Sequence, residues 1–328
     1  MRFLSILFAA AIITQSCAAQ KPPQVEKIWD QAPHNAFTDL LRFNGAFYCA
    51  FREGIGHVSG PDGKARILRS KDGRQWESVA LLEVKDRDVR DPKLSITPDN
   101  RIMVLMDVEV SDGKKVISRK PLISVSDASG TTFSTPAQSV VDPSIASWSD
   151  WVWRLTWHKG TGYAILYQMD KIYLVSTKDG SYFENVSRIE VDGNPNECTI
   201  RFDKNGKMYV LIRREGADQL GVIASADAPY RQWSLVKMDK RLGGPNFLFL
   251  DSETMVMGTR QYKPKMSTVI YVTDLEGKVQ KTIELPSSGD TSYPGMLVYK
   301  GKLWTSYYSS HEGKTSIYLA KIPLKQLQ

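Results

Sequence analysis

Helical periodicity is missing from this chain. No run keeps a 3.6-residue apolar spacing for three turns, which points away from helix bundles and from alternating strand–helix folds. Cysteine is sparse, with three in 328 residues. Cys49 and Cys198 fall in well-separated segments, so neither a disulfide framework nor a cysteine-built metal site is expected. No basic cluster with interleaved aromatics occurs, and nucleic acid is a poor partner. Long apolar runs are also lacking: the one from Phe3 to Ile13 is too short to span a bilayer as a stable helix, and no later stretch is longer.

What is present is the composition of a globular protein, 42% hydrophobic and 24% charged. The segment MRFLSILFAAAIITQSC reads as a signal peptide over residues 1–17, leaving residues 25–328 as the folded domain. Cys17, after Thr14, Gln15 and Ser16, resembles a bacterial lipoprotein cleavage site; cleavage after Ala18 would instead give a soluble secreted protein. Either route places the mature chain outside the cytoplasm, in the periplasm or attached to the outer membrane, with membrane contact only through an N-terminal lipid. Removal of residues 1–16 takes away Arg2 and lowers the formal charge from +7 to +6, a mild positive balance that fits an acidic glycan partner.

A repeat organises the rest. RSKDGRQW (Arg69 to Trp76) and STKDGSYF (Ser176 to Phe183) share a hydroxyl residue, Lys-Asp-Gly and an aromatic three positions beyond the glycine. Weaker copies end at Phe133 and Trp233, so the aromatic ends are spaced by 57, 50 and 50 residues. Each copy follows an alternating strand and reads as the turn before the last strand of a four-stranded unit. Quartets are expected over residues 37–82, 92–139, 152–189, 198–238 and 246–285, and a trio over 294–322. VEKIWD, residues 25–30, supplies the strand that the trio lacks. The predicted fold is therefore all-β: a six-bladed β-propeller in which the N-terminal strand closes the last blade and no sheet edge is left open.

In such a ring the innermost strand of each blade starts, and the second strand ends, on one face around the axis. NECTIRFDKNGKMYVLIRRE (residues 196–215) is a hairpin turning at Asn205-Gly206, which makes Glu197 and Arg213 neighbours at that face. Counting seven residues beyond the equivalent turns gives Arg52, Asp107, Arg213 and Tyr308, with Arg260 near the same level. Inner-strand starts add Arg90, Asp91, Trp151, Trp153, Arg154, Glu197, Asn246 and Tyr293.

With these residues assembled, the chain resembles the sialidase (neuraminidase) superfamily of six-bladed propellers with Asp-box turns, although the turns at Ser70 and Thr177 are one residue shorter than the family pattern. The resemblance implies that Glu197 and Arg213 match a family segment pairing a glutamate with a substrate-carboxylate arginine. It further implies that Tyr293, in GDTSYPGMLVYKGKLWTSYYS, matches the nucleophilic tyrosine whose proton the glutamate takes. A phenol titrates near 10 and needs such a base, but a neutral nucleophile escapes repulsion by an anionic sugar. Two departures stand out. The family's first arginine should fall near Phe37, where there is none, and Arg52 is the candidate replacement. The family's acid/base aspartate belongs in the loop REGIGHVSGPDGKAR, which offers His57, flanked by glycine-rich stretches, and Glu53.

The reading is an exported, sialidase-like exo-glycoside hydrolase acting on a terminal acidic sugar. Tyr293 is the nucleophile, Glu197 its base and His57 or Glu53 the acid; Arg52, Arg213 and Arg260 form the anion clamp, with Arg90, Asp91, Trp151 and Arg154 as further substrate contacts. No metal or organic cofactor is implied. Two rivals remain: a hydrolase or lyase of another acidic polysaccharide using a histidine acid/base, and a non-catalytic glycan-binding lipoprotein.

Overall fold

The computed structural model describes residues 22–57, 62–111, 115–216 and 218–328. Its strands group into six sheets, antiparallel but for one short added strand, taken up in chain order. The inner strands are His34–Phe43, Asp88–Ile96, Trp151–His158, Pro195–Phe202, Asn246–Phe249 and Thr291–Tyr299, defining blades 1 to 6. Each is followed by its second, third and fourth strands except in blade 6, whose fourth strand is Gln24–Trp29, paired antiparallel to Ser316–Pro323. The expected six-bladed propeller, closed by the N-terminal strand, is what forms. Cys17 lies outside the described residues.

One strand was not anticipated. Val140–Val141 adds to blade 3 as a fifth strand, parallel to Tyr182–Ile189. The outer strand of blade 2 is only Ala137–Gln138, because the chain crosses to the next blade immediately afterwards. Val140 N–H then donates to the Ser181 carbonyl and Asp142 N–H to that of Phe183, which pairs backbone groups that would otherwise lie bare on the edge.

Alternating Val, Ile, Leu and Met along the strands fill most of six apolar clusters among the described residues; five are each shared by two neighbouring blades, and the sixth, rich in aromatics, joins blades 6 and 1 with Trp151 and Trp153 of blade 3. Burial of one such side chain contributes about 1.5–3 kcal/mol, so these seams supply most of the attraction between blades. Polar links near the inner strands join the six blades into a closed circle. Lys93 Nζ donates to the Phe37 carbonyl, Val152 N–H to Asp107, Thr156 to the Ile200 carbonyl, Thr199 to that of Pro245, Asn246 to that of Pro294, and Thr38 to that of Tyr293.

The turns before the outer strands are held by their own side chains. Ser70 Oγ accepts from Gly73 N–H at 2.9 Å, and Asp72 Oδ1 accepts from Arg74 and Gln75 N–H at 2.8 and 3.0 Å. Thr177 and Asp179 act in the same way toward Gly180 and Ser181. Lys71, Asp72, Lys178 and Asp179 therefore belong to turn structure at the face opposite the inner-strand starts.

Candidate functional site

The inner strands share a device that aims one side chain toward the ring axis. Their register with the second strands slips between Ala36 and Asp39, Arg90 and Lys93, Trp153 and Thr156, Asn196 and Cys198, and Ser292 and Gly295. A β-bulge of this kind bends the strand and redirects the residue it carries. Phe37, Asp91, Arg154 and Tyr293 adopt left-handed backbone at these points, with φ of 64°, 49°, 45° and 51°. In blade 5 Gly244 takes the corresponding conformation, φ 58°. Left-handed backbone in non-glycine residues costs energy and concentrates where geometry serves function.

Tyr293 and Glu197 meet as a result. The Tyr293 hydroxyl donates to Glu197 Oε1 at 2.5 Å, and Gly244 N–H donates to Glu197 Oε2 at 3.0 Å. Arg213 pairs with Glu197 Oε2 and donates from Nη1 to the Tyr293 oxygen at 3.1 Å. Its Nε donates to Glu215 Oε1 at 2.6 Å, and Glu215 in turn pairs with Arg241 at 2.7 Å. Tyr293 is 7% and Glu197 8% exposed, so each is largely withdrawn from water but still has accessible surface.

The electrostatics favour the proton on Tyr293. Burial pushes the Tyr293 phenol well above its usual value, with the Glu197 charge adding to the effect and Arg213 and Arg260 opposing it. Burial also pushes the Glu197 carboxyl upward, but Arg213, the Tyr293 hydrogen bond and Arg260 outweigh it and hold the group below the usual carboxylate range. The ground state is thus a neutral phenol against an ionised carboxylate, the arrangement in which a base can take the proton as the phenol oxygen attacks.

Beside this pair lies a second cluster centred on Asp290, just ahead of the inner strand of blade 6. Asp290 Oδ2 meets His57 Nδ1 at 2.6 Å and His34 Nε2 at 2.9 Å. Asp290 Oδ1 accepts from the Tyr308 hydroxyl at 3.0 Å and lies 3.6 Å from Arg260 Nη2. Arg260 also donates to the Thr291 carbonyl and the Tyr308 oxygen, at 2.8 and 3.0 Å, with its guanidinium 5.8 Å from the centre of the Tyr293 ring. Phe37 joins the clusters: its ring packs edge-on against His57 and Tyr293, both at 5.0 Å between centres.

The structure brings together Tyr293, Glu197, Arg213, Arg260 and His57. The other six expected site residues are buried or paired within the protein. Arg52 has no accessible surface; its Nε donates to Asp88 at 2.8 Å and its Nη1 to the Gly56 carbonyl at 2.8 Å, so it anchors the loop before His57 instead of facing a ligand. Glu53 points to the opposite face of the same strand, where it accepts from Trp29 at 2.7 Å and Arg66 at 2.9 Å. Arg154 is buried against Asp39 at 2.6 Å. Trp151, 3% exposed, stacks on Tyr167 and lies beneath the guanidiniums of Arg90 and Arg119, leaving no open ring face for a sugar. Arg90 reaches Glu109 at 3.4 Å, and Asp91 is buried with Oδ1 unpartnered, its carboxyl pushed up by burial against the pull of Arg90 and Lys93.

His34, Gly244 and Asp290 escaped the sequence reading, yet a signal for two of them exists. His34 stands three residues ahead of Phe37, and Asp290 three ahead of Tyr293. The same offset gives Asp88 before Asp91 and Arg241 before Gly244; Asp88 holds the anchor Arg52, and Arg241 pairs with Glu215, the partner of Arg213.

No protein-family model and no curated protein matches the sequence. Solved structures do match. A Dyadobacter fermentans protein of unknown function superposes with a TM-score of 0.77 at 16% identity, over 91% of this chain and 99% of that one. The NanB sialidase of Streptococcus pneumoniae gives 0.72 at 9% identity, over 94% of this chain and 71% of that one. Trypanosoma rangeli sialidase, in complex with sialic acid, gives 0.64 at 11% identity over 88% of this chain; the chain spans 54% of that enzyme's length. The likeness extends around the ring, and the chain has the sialidase-like, six-bladed β-propeller fold.

Proposed function

We propose that this protein is an exported glycoside hydrolase that releases a terminal acidic sugar from a glycan with retention of configuration. The observation that carries the reading is the 2.5 Å hydrogen bond from the Tyr293 hydroxyl to Glu197 Oε1, with Arg213 on the Tyr293 oxygen and on Glu197 Oε2. In the first step the Tyr293 oxygen bonds to the anomeric carbon, its proton passes to Glu197, and the glycosidic bond breaks as the departing oxygen is protonated. Water then displaces the tyrosine oxygen, and Glu197 returns the proton. Arg213 and Arg260, both held charged by neighbouring anions and phenols, supply the positive field for the sugar's carboxylate.

Fold likeness to sialidases supports the reaction class, and the signal-like N-terminal segment supports export, with Cys17 as the proposed lipid attachment point. The test is a screen of purified protein against acidic-sugar aryl glycosides and oligosaccharides, identifying the released monosaccharide. Tyr293→Phe and Glu197→Gln should each lower kcat by about 10²–10⁴, the range typical of lost proton transfer. A 2-deoxy-2-fluoro or 3-fluoro analogue of the substrate sugar should leave a covalent adduct on Tyr293.

A second reading, elimination by a histidine base, is favoured by the His57–Asp290 contact. An unsaturated product and full activity of Tyr293→Phe would establish it in place of hydrolysis.

A further inference from the structure

The departing oxygen needs a proton, and the subsequent water must lose one. We propose that Asp290 and His34 form, with His57, a three-membered proton-handling unit, in which His57 is the acid/base and Asp290 is the residue that positions it. The assignment rests on the hydrolytic reading above.

Asp290 comes from the loop before blade 6, His34 from the start of blade 1, and His57 from the loop after the second strand of blade 1. A single oxygen, Asp290 Oδ2, takes both imidazoles, at 2.6 Å from His57 Nδ1 and 2.9 Å from His34 Nε2. With Nδ1–H committed to the carboxylate, His57 has only Nε2 left for exchange with a ligand, so its ring orientation and tautomer are both fixed. The ring is part-exposed and stands one aromatic side chain, Phe37, away from the nucleophile. Its loop is tied down from behind by Arg52 Nη1 on the Gly56 carbonyl.

Two histidines and a carboxylate this close could instead hold a metal ion, since the three ligand atoms lie within 4.8 Å of one another. The hydrogen bonding argues against it. His34 is buried and its Nδ1 has no partner. Donation from Nε2–H to Asp290 leaves only a bare lone pair on Nδ1. Metal ligation through Nε2 would move the hydrogen to Nδ1 and leave a buried N–H with no acceptor, the costlier arrangement. A cation would also sit beside Arg260, 3.6 Å from the other Asp290 oxygen.

In the first step His57 starts with hydrogens on both ring nitrogens, gives the one on Nε2 to the departing oxygen as the glycosidic bond breaks, and is left as the neutral Nδ1–H tautomer held by Asp290. In the second, Nε2 takes a proton from water as its oxygen bonds to the anomeric carbon and the bond to Tyr293 breaks. His57 thereby returns to its starting state, and no oxidant or external base is consumed.

The test compares two substrates of the same sugar, one with a sugar alcohol as leaving group and one with a good aryl leaving group, on wild type, His57→Ala, Asp290→Asn and His34→Gln. Removing an acid harms the poor leaving group selectively. His57→Ala should lose about 10²–10⁴-fold in kcat/KM on the alcohol but less than tenfold on the aryl glycoside, and azide should restore turnover of the aryl substrate as the glycosyl azide. Asp290→Asn should show the same selectivity with a smaller loss, about tenfold or more, while its circular dichroism matches wild type. Equal losses on both substrates, or none, would overturn the assignment while leaving the hydrolytic reading intact. Activity abolished by EDTA and restored by Zn²⁺ would overturn it in favour of a metal centre. A wild-type protein that cleaves no acidic glycoside would remove the hydrolytic reading itself.

Discussion

Gly244 lies flat against the ring of Tyr293. A Cβ at Gly244 would stand 2.4 Å from both Cγ and Cδ2 of that ring, and the Gly244 N–H holds Glu197 Oε2 at 3.0 Å. One backbone position therefore sets both halves of the nucleophile pair, although Tyr293 and Glu197 are 96 residues apart in sequence.

Gly244→Ala should push the phenol off Glu197. The φ of 58° adds strain of about 1–2 kcal/mol for a residue with a Cβ. The expected result is a folded protein with a slightly lower Tm and a kcat reduced at least as far as in Tyr293→Phe. Thermal melting followed by circular dichroism, alongside turnover of the best substrate from the screen, checks both parts.

Arg52 and Asp88 form a buried pair between blades 1 and 2. Burial pushes the Asp88 carboxyl up in spite of Arg52, so desolvation exceeds the attraction. Removing one partner strands the other: Arg52→Met or Asp88→Leu alone should each cost about 3–5 kcal/mol in urea unfolding, while the double replacement should cost less than either. Equal, additive losses would contradict the pairing.

Most of the architecture could be read from residue order because strands alternate and turns recur; both are local properties. The count from each hairpin turn also found the right level of the ring, since Arg52, Asp107, Arg213 and Tyr308 sit opposite Ala36, Arg90, Asn196 and Ser292. It could not tell which guanidinium stays available. Arg213 meets Glu197 because both belong to blade 4, whereas Arg52 is captured by Asp88 from the neighbouring blade, a contact that no spacing within one hairpin encodes. Asp290 was hidden for the same reason: its partners His34 and His57 lie 256 and 233 residues away.

Asp290 should make the fold acid-sensitive. Burial raises its carboxyl, but hydrogen bonds from His34, His57 and Tyr308 and the charge of His57 overcome this and leave it below the usual carboxylate range. A depressed carboxylate contributes stability above its unfolded value, about 3.9, and loses it as the pH falls through the folded value. Asp290→Asn should therefore be less stable than wild type at pH 6 and show a shallower loss of stability below pH 4. Urea midpoints taken from pH 6 to pH 2 give the comparison.

Lys93 should act at the other end of the scale. Burial depresses its ammonium to about 8, with Asp91 resisting and Arg154 assisting. Between about pH 8 and its ordinary value of 10.5, the unfolded chain holds more protons at this position than the folded one, so this residue's contribution to stability rises with pH. Lys93→Met should remove that slope. If wild type and variant change in parallel between pH 7.5 and 10, the ammonium is not desolvated as drawn.

The strand Gln24–Trp29 finds its partner in Ser316–Pro323, at the far end of the polypeptide. Gln24–Trp29 is therefore made well before the strand it pairs with, and blade 6 cannot be latched until Ser316–Pro323 has been synthesised. Deleting residues 24–29 should bare the edge of Ser316–Pro323 and promote self-association through that strand, read by light scattering against wild type.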